Sequence, residues 1–451
     1  MLVEQIYNTG LGHASYLVAD PEAGVAFLVD PERDVEPYLE AARRLGVLVT
    51  HSFETHVHND YLTGSAALAA LRPITVVAGA EARLGYAHLP LTDGATVDVG
   101  ALSVRCIATP GHTPEHVSYL VADLRRADEP QYLFSGGALL VGHIARVDLL
   151  GPEMEATLSR AAYDTLRERV LPLPDHLAVF PTHGGGSACT GAAAGSRWTT
   201  LGFERRHNRV AVAAASRYDD FRTAISDDLP EAPAYYPFVR AWNARGPALP
   251  QQGPLPVLDE RALRSSDAVL VDPRPPHVFG AGHRPGAINV VGNESFGVRV
   301  GAVVPFGRPI VLLTEDADQG RRLRGDLALV GYDEVRGLAG PLPAHGQLER
   351  VEQLDPPAAS ARATAGALLL DVRGASEWRE GHAPGAVHLP YERLPELLAE
   401  LPAEREVVTY CGSGIRSSLA ASVLQASGRR AANVRGGFAA WRAAGLPVVV
   451  D

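Results

Sequence analysis

The second half of the chain is written twice. Leu270-Val271-Asp272-Pro273-Arg274 and Gly282-His283-Arg284-Pro285-Gly286-Ala287 recur as Leu369-Leu370-Asp371-Val372-Arg373 and Gly381-His382-Ala383-Pro384-Gly385-Ala386, a shift of 369 − 270 = 99 residues. Val335-Arg336-Gly337 recurs at the same shift as Val434-Arg435-Gly436. A constant shift over separated motifs marks repetition of a whole domain rather than of one motif. Ahead of the first copy, the Pro- and Gly-rich stretch 246–256 has the composition of a linker. The 451 residues therefore divide into a domain at 1–247 and two related domains at 257–345 and 351–451.

The first domain opens with short apolar runs, Ala14-Ser15-Tyr16-Leu17-Val18 and Val25-Ala26-Phe27-Leu28-Val29, followed by a helical pattern from Val35 to Leu45. Strands followed by a helix predict an α/β layered domain. Helical patterns return between 200 and 245. The formal charge of −11 is carried without any lysine, every basic residue being Arg. An acidic surface argues against nucleic acid or an anionic membrane as partner. Three scattered cysteines, Cys106, Cys189 and Cys411, do not read as a disulfide framework and fit a reducing cytoplasm. Met1-Leu2-Val3-Glu4-Gln5 does not begin a signal peptide, and no apolar run is long enough to span a bilayer. The expected location is cytoplasmic.

Within the first domain, the strand-like run ending at Thr50 leads into Glu54-Thr55-His56-Val57-His58-Asn59-Asp60-Tyr61. Two histidines at i and i+2, with a carboxylate two further on, can converge on a metal from one loop. A second His segment, Pro110-Gly111-His112-Thr113-Pro114-Glu115-His116, follows the alternating strand 104–109. A third, Thr182-His183-Gly184-Gly185-Gly186, ends another. Cys106, in mid-strand, reads as a buried small hydrophobe, and His116 as a packed histidine. Cys189 follows the glycine turn and is a candidate thiol of the substrate cleft.

These segments resemble the metallo-β-lactamase superfamily, whose signature is His-x-His-x-Asp-His, and within it the branch of glyoxalase-II-like hydrolases and persulfide dioxygenases. The resemblance implies an αββα sandwich with the metal at the edge of two facing sheets. It makes His56 and His112 the ligands of one Fe(II) per chain, with Zn as the alternative metal. It leaves His58, Asp60 and His183 as residues that orient those ligands or bind a second metal. Tyr61 stands where the family's last His belongs, which favours one metal over two. Leu133-Phe134-Ser135-Gly136-Gly137-Ala138-Leu139 aligns with a segment whose Asp is the metal's carboxylate ligand, and here that position is Gly137. Two neutral imidazoles leave a divalent ion uncompensated, so iron is expected to be weakly held or absent, and an Asp at 137 is expected to restore it. His143 stands where relatives carry an acidic residue.

Both repeats resemble rhodanese domains, the single-cysteine sulfurtransferases, which implies α/β domains with parallel sheets. The second copy carries Val407-Val408-Thr409-Tyr410-Cys411-Gly412-Ser413-Gly414-Ile415-Arg416. A buried strand delivers Cys411 into a short loop that opens a helix. The Gly412, Ser413, Gly414 and Ile415 N–H groups form an anion cradle, and the helix N-terminus with Arg416 adds positive potential, favouring thiolate and persulfide. The first copy has Thr314 about where Cys411 would be, followed by Glu315, Asp316 and Asp318, and is expected to be catalytically silent.

The architecture resembles that of persulfide dioxygenase–rhodanese fusions. It implies oxidation of a low-molecular-weight persulfide to sulfite in the first domain and sulfane-sulfur transfer at Cys411. The expected partners are a persulfide, thiosulfate or sulfite, with glutathione or another small thiol, in a homo-oligomer. Two alternatives remain for the first domain: a two-zinc thioester hydrolase of the glyoxalase-II type, which Tyr61 and Gly137 disfavour, and a metal-free binding domain that feeds the sulfurtransferase.

Overall fold

The structure, a computed structural model, describes residues 1–450 except 186, 191–194, 227, 228 and 252. The chain forms two compact units, one of Met1–Ala232, Tyr236–Pro250 and Leu329–Gly331, the other of Pro233–Tyr235, Gln251–Ala328 and Tyr332–Asp451.

The first unit holds two six-stranded sheets. Strands β1 (Leu2–Asn8), β2 (His13–Asp20), β3 (Val25–Val29), β4 (Leu48–Glu54), β5 (Thr75–Gly79) and β6 (Leu89–Leu91) follow one another in the first. Strands β7 (Thr96–Val99), β8 (Leu102–Ala108), β9 (Val117–Asp123), β10 (Tyr132–Gly136), β11 (Ala178–Pro181) and β12 (Thr199–Thr200) lie in sequence order in the second.

Strand periodicity sorts the residues into layers. Tyr16 and Val18 of β2 point inward to join Phe53, Val104, Cys106, Tyr119 and Phe134 in the core between the sheets. Leu17, between them, faces outward with Ala26 and Leu28 against the helix Glu36–Leu45 through Tyr38 and Leu39. The outer face of the second sheet, with Leu120, Leu133 and Val179, packs on Leu158 and Ala162 of the helix Pro152–Thr165. This is the αββα order expected from the sequence. Between 200 and 245 stand the helices Leu201–His207, Arg209–Ala214, Tyr218–Ser226 and Tyr236–Arg245.

The second unit contains one parallel sheet per repeat. Strands β13 (Val269–Asp272), β14 (Ile288–Asn289), β15 (Ile310–Leu312) and β16 (Val335–Leu338) are ordered β14-β13-β15-β16. Strands β17 (Glu352–Leu354), β18 (Leu368–Asp371), β19 (Val387–His388), β20 (Val407–Tyr410) and β21 (Ala431–Val434) are ordered β17-β21-β20-β18-β19. The repeated Asp-x-Arg has a shared task. Arg274 Nη2 reaches Asp272 at 2.6 Å and the Gly282 carbonyl at 3.0 Å. Arg373 Nη2 reaches Asp371 at 2.6 Å and the Gly381 carbonyl at 2.9 Å. In each copy the guanidinium pins the Gly-His turn to the end of the first core strand, a charge-assisted latch.

Among the described residues, no helix is long and apolar enough to cross a membrane.

Candidate metal centre and sulfur-transfer site

Strand β4 ends at Glu54, and the loop that follows carries His56 and His58 to the edge of the two sheets. Glu115 anchors this loop: it accepts the Val57 N–H at 3.0 Å and a two-pronged bond from Arg240, whose other nitrogen reaches the Val57 carbonyl at 2.6 Å. His112, on the turn after β8, lies with its ring 4.8 Å from that of His56. His183, after β11, is 5.5 Å from each of them. All three are buried.

The ring nitrogens of His56 and His112 are sorted in the same way. His112 Nδ1 lies 2.6 Å from the Arg146 carbonyl and must donate to it. His56 Nδ1 meets the Thr55 hydroxyl at 2.9 Å, and His183 Nδ1 faces Asp60 at 3.4 Å. The Nε2 atoms of all three have no hydrogen-bond partner. Burial, and then the neighbouring imidazoles, hold His56 and His112 well below the ordinary histidine range, so both are neutral. An engaged Nδ1 with a free, neutral Nε2 is what a metal-ligating histidine presents. Burial pushes Asp60 up, but His183, His58 and His13 outweigh it and keep the carboxylate ionised.

Two residues that no sequence pattern singled out, Asp30 and Glu54, claim His58. Its Nε2 is 3.2 Å from Asp30 and 3.4 Å from Glu54. Burial alone would lower its pKa, but the two carboxylates raise it. Asp30 sits at a positive φ of 50° at the end of β3, a conformation uncommon outside glycine. It also accepts from the Thr55 backbone and hydroxyl, both at 2.7 Å. Glu54 takes the hydroxyls of Thr63 and Ser65. Tyr61 is fully buried, its hydroxyl donating to the Asp30 carbonyl and its ring against His13 and His58.

Three groups of side chains could hold an ion: His56–His58–His183, His112–His183–Cys189 and Asp30–Glu54–His58, with ligand atoms within 4.8 Å of one another in each. Cys189 thus belongs to the histidine cluster itself, fully buried. Its thiol lies 3.8 Å from the Tyr236 hydroxyl, and burial raises its pKa well above the ordinary value. His116 is buried and serves the backbone, accepting the Gly137 N–H at 2.8 Å. His143 turns its Nδ1 to the Ile144 carbonyl and its Nε2 to Arg209.

An iron held by two histidines and a carboxylate at position 137 does not fit these residues. Gly137 has no side chain, and a Cβ built there would stand 2.8 Å from the Ala145 Cβ and 3.0 Å from the His112 ring. A side chain at this position requires Ala145 or the His112 ring to shift. An Asp at 137 would therefore have to displace one of these neighbours before it could serve as a ligand. A cavity of about 220 Å³ opens beside His183, lined by Tyr7, Leu140, Gly184, Ser196 and Arg197 among others.

In the second unit, β20 ends at Tyr410 and delivers Cys411 to the loop before the helix Ile415–Ala426. Its Sγ accepts from the Gly414 N–H at 3.1 Å and from the Ser417 hydroxyl at 3.4 Å. Of the expected cradle, Gly414 thus makes the direct bond, while Gly412, Ser413 and Ile415 complete the loop; Ser417 was missed. Arg416 forms a double ion pair with Glu377, at 2.6 and 2.8 Å. Burial opposes its charge, but this pair and Cys411 favour it. Gly437 allows the chain to close over the loop: at φ 59°, its absent Cβ would lie 2.1 Å from the Cys411 carbonyl.

The first repeat lacks the sulfur at this place. Val269 pairs with Ile310 and Leu368 with Val407, so the shift between copies is 407 − 310 = 97 residues here, and Thr314 takes the position of Cys411.

Comparisons with known proteins bear on both ends of the chain. The model of the rhodanese-like domain matches residues 355–444. Persulfide dioxygenase ETHE1, mitochondrial, of Homo sapiens is 28% identical over 189 residues, 41% of this chain and 68% of that protein. A hydroxyacylglutathione hydrolase of Polaromonas sp. is 34% identical over 187 residues, 41% of this chain and 66% of that protein. The crystal structure of a metallo-beta-lactamase from Staphylococcus aureus subsp. aureus COL superposes with a TM-score of 0.69 at 27% identity, over 76% of this chain and 99% of that one. The chain thus joins an amino-terminal region homologous to persulfide dioxygenase, on a metallo-β-lactamase-like fold, to a carboxyl-terminal rhodanese-like domain.

Proposed function

We propose that this protein is a sulfurtransferase that carries sulfane sulfur as a persulfide on Cys411. The observation that supports this reading best is the position of the sulfur, between the Gly414 N–H and the Ser417 hydroxyl at the N-terminus of a 12-residue helix. Two fixed donors and the helix dipole stabilise negative charge on sulfur, both before and after a second sulfur is added. The Cys411 thiolate attacks the outer sulfur of thiosulfate or of a small persulfide. A new S–S bond forms as the donor's S–S bond breaks, and sulfite or a thiolate leaves with the electron pair. An acceptor thiolate or cyanide then attacks the outer sulfur and releases Cys411 unchanged.

The same reading gives the amino-terminal unit a small persulfide to act on, supported by its similarity to persulfide dioxygenase ETHE1 and by the cavity beside His183. Arg197 on the cavity wall suits a carrier thiol bearing a carboxylate, such as glutathione. The hydrolase relatives supply a second candidate chemistry, thioester hydrolysis, which Tyr61 counts against because its hydroxyl is spent on Asp30. Each is an expectation of metal chemistry that the two-histidine, one-carboxylate iron site does not support here.

Thiosulfate with cyanide or a thiol as acceptor should give turnover, and Cys411→Ser should abolish it; persistence in the variant would overturn the assignment. Oxygen uptake with glutathione persulfide, set against thioester cleavage, separates the two readings of the first unit.

A further inference from the structure

The amino-terminal unit holds a buried cluster of free imidazole nitrogens, with Gly137 where the resemblance implies a carboxylate ligand. Buried polar atoms without partners are costly, and a group of them facing one another calls for a ligand. The Nε2 atoms of His112 and His183 are such atoms, and among the described residues the Cys189 thiol completes a group with these two rings whose ligand atoms lie within 4.8 Å of one another.

A single residue sets this arrangement. Arg146 holds the His112 ring through its carbonyl at 2.6 Å, and its N–H donates to the Cys189 carbonyl at 2.9 Å. Its guanidinium binds the Ala188 carbonyl at 3.2 Å and is in turn clamped by Asp148 at 2.6 Å. The ring and the cysteine turn are therefore fixed relative to each other by hydrogen bonds on both sides of one backbone position. Asp60 faces His183 Nδ1 at 3.4 Å.

We propose that His112, His183 and Cys189 bind a divalent ion of zinc character, with the Cys189 thiolate supplying the negative charge that Gly137 cannot. Two imidazoles and a thiolate form a soft donor set that suits zinc better than the oxygen-rich iron triad. Binding breaks the Sγ–H bond and forms an S–metal bond; the proton goes to solvent, and no electron changes hands. The Tyr236 hydroxyl, 3.8 Å from Sγ, can then donate to the thiolate. The inference rests on the reading that this unit works through a metal and is independent of sulfur transfer at Cys411.

The test is cobalt(II) titration of the full chain, reduced and stripped of metal under argon. One ion per chain should bind, with a near-ultraviolet thiolate-to-cobalt charge-transfer band. The band should survive Cys411→Ser, which separately abolishes sulfur transfer, and disappear in Cys189→Ser. Zinc affinity should fall at least about tenfold in the latter, since even residues behind a ligand cost that much. X-ray absorption of the zinc-loaded Cys411→Ser protein should show one sulfur scatterer at about 2.3 Å, a readout that does not depend on the folding of Cys189→Ser. Failure to take up either ion, a shell of nitrogen and oxygen alone, or a band that persists in folded Cys189→Ser would overturn the proposal.

Discussion

Ser418 Oγ donates a 2.6 Å hydrogen bond to Asn289 Oδ1, tying the helix that follows Cys411 to the edge strand of the other repeat. Both residues are buried. The Asn289 N–H donates to Ser422 on the same helix at 2.8 Å, while its Nδ2 holds the carbonyls of Asp272 and Arg274. The repeat without a cysteine therefore braces the helix that activates the cysteine of the other.

Replacing Asn289 by Ala strands the Ser418 hydroxyl and the Arg274 carbonyl, while the Asp272 carbonyl keeps the Val290 N–H. A buried group left without its partner costs about 1–3 kcal/mol, so Asn289→Ala should destabilise the second unit by about 2–3 kcal/mol. Denaturant unfolding followed by a probe in that unit should show a lowered midpoint with unchanged slope. An unchanged midpoint would mean that the brace carries no stability.

Arg299 should give the repeat without a cysteine a part in substrate binding. It lies on the helix Phe296–Val303, its Nη1 bound to Asn293 at 3.0 Å. Burial lowers its pKa, and Cys411, Tyr391, Glu392 and Arg416 all act on its charge. A second guanidinium near the sulfur should attract an anionic donor such as thiosulfate. Arg299→Ala is expected to raise KM for thiosulfate about tenfold, the loss of a weak charge-assisted contact of about 1.4 kcal/mol, with a smaller change in kcat. Arg299→Lys should recover part of it. A fall in kcat alone would assign Arg299 a structural part instead.

Stability should also depend on pH through Asp326, on the helix Ala317–Leu329. Burial raises its pKa from 3.8 to about 6, opposed by Arg322, and its Oδ2 hydrogen-bonds nothing. The native state keeps this proton to higher pH than the unfolded chain, so stability falls as pH rises from about 4 to about 6 and levels off above. The full effect is up to about 3 kcal/mol. Asp326→Asn should remove the slope and stabilise the protein at neutral pH; a melting profile against pH that keeps the slope in the variant would place its source elsewhere.

The parts of this molecule that were legible in the sequence are those whose physics is local or repeated. The Asp-x-Arg and Gly-His motifs recur because the same latch is needed twice, the apolar run in β2 announces a strand buried on both faces, and the alternation in β8 one that turns part of a face to solvent. His56, His112 and His183 each follow a strand end, where a side chain reaches the sheet edge. Asp30 and Glu54 gave no such signal, because a lone carboxylate at a strand end has no spacing that distinguishes it from a surface residue. Cys189 stood six residues after His183 beyond a glycine turn, and only the fold shows that its sulfur returns to the histidines. Arg299 belongs to a different repeat from the cysteine whose charge it feels, a relation between residues 112 positions apart (411 − 299) that no motif encodes.

The glycine at 137 yields the sharpest contrast between the two kinds of reading. Alignment alone makes Gly137→Asp a repair. The neighbours make it a collision, since a Cβ at this position meets the Ala145 methyl at 2.8 Å and the His112 ring at 3.0 Å. Overpacking of this kind costs about 1–3 kcal/mol and displaces the very ring that should bind the metal. Gly137→Asp should therefore gain no iron and lower the melting temperature. Gly137→Asp combined with Ala145→Gly removes the closer contact and should recover stability and take up ferrous iron, toward one ion per chain. Elemental analysis after anaerobic loading decides between them: iron in the single variant at unchanged stability would show that Ala145 and His112 yield, and that the missing carboxylate was the whole defect.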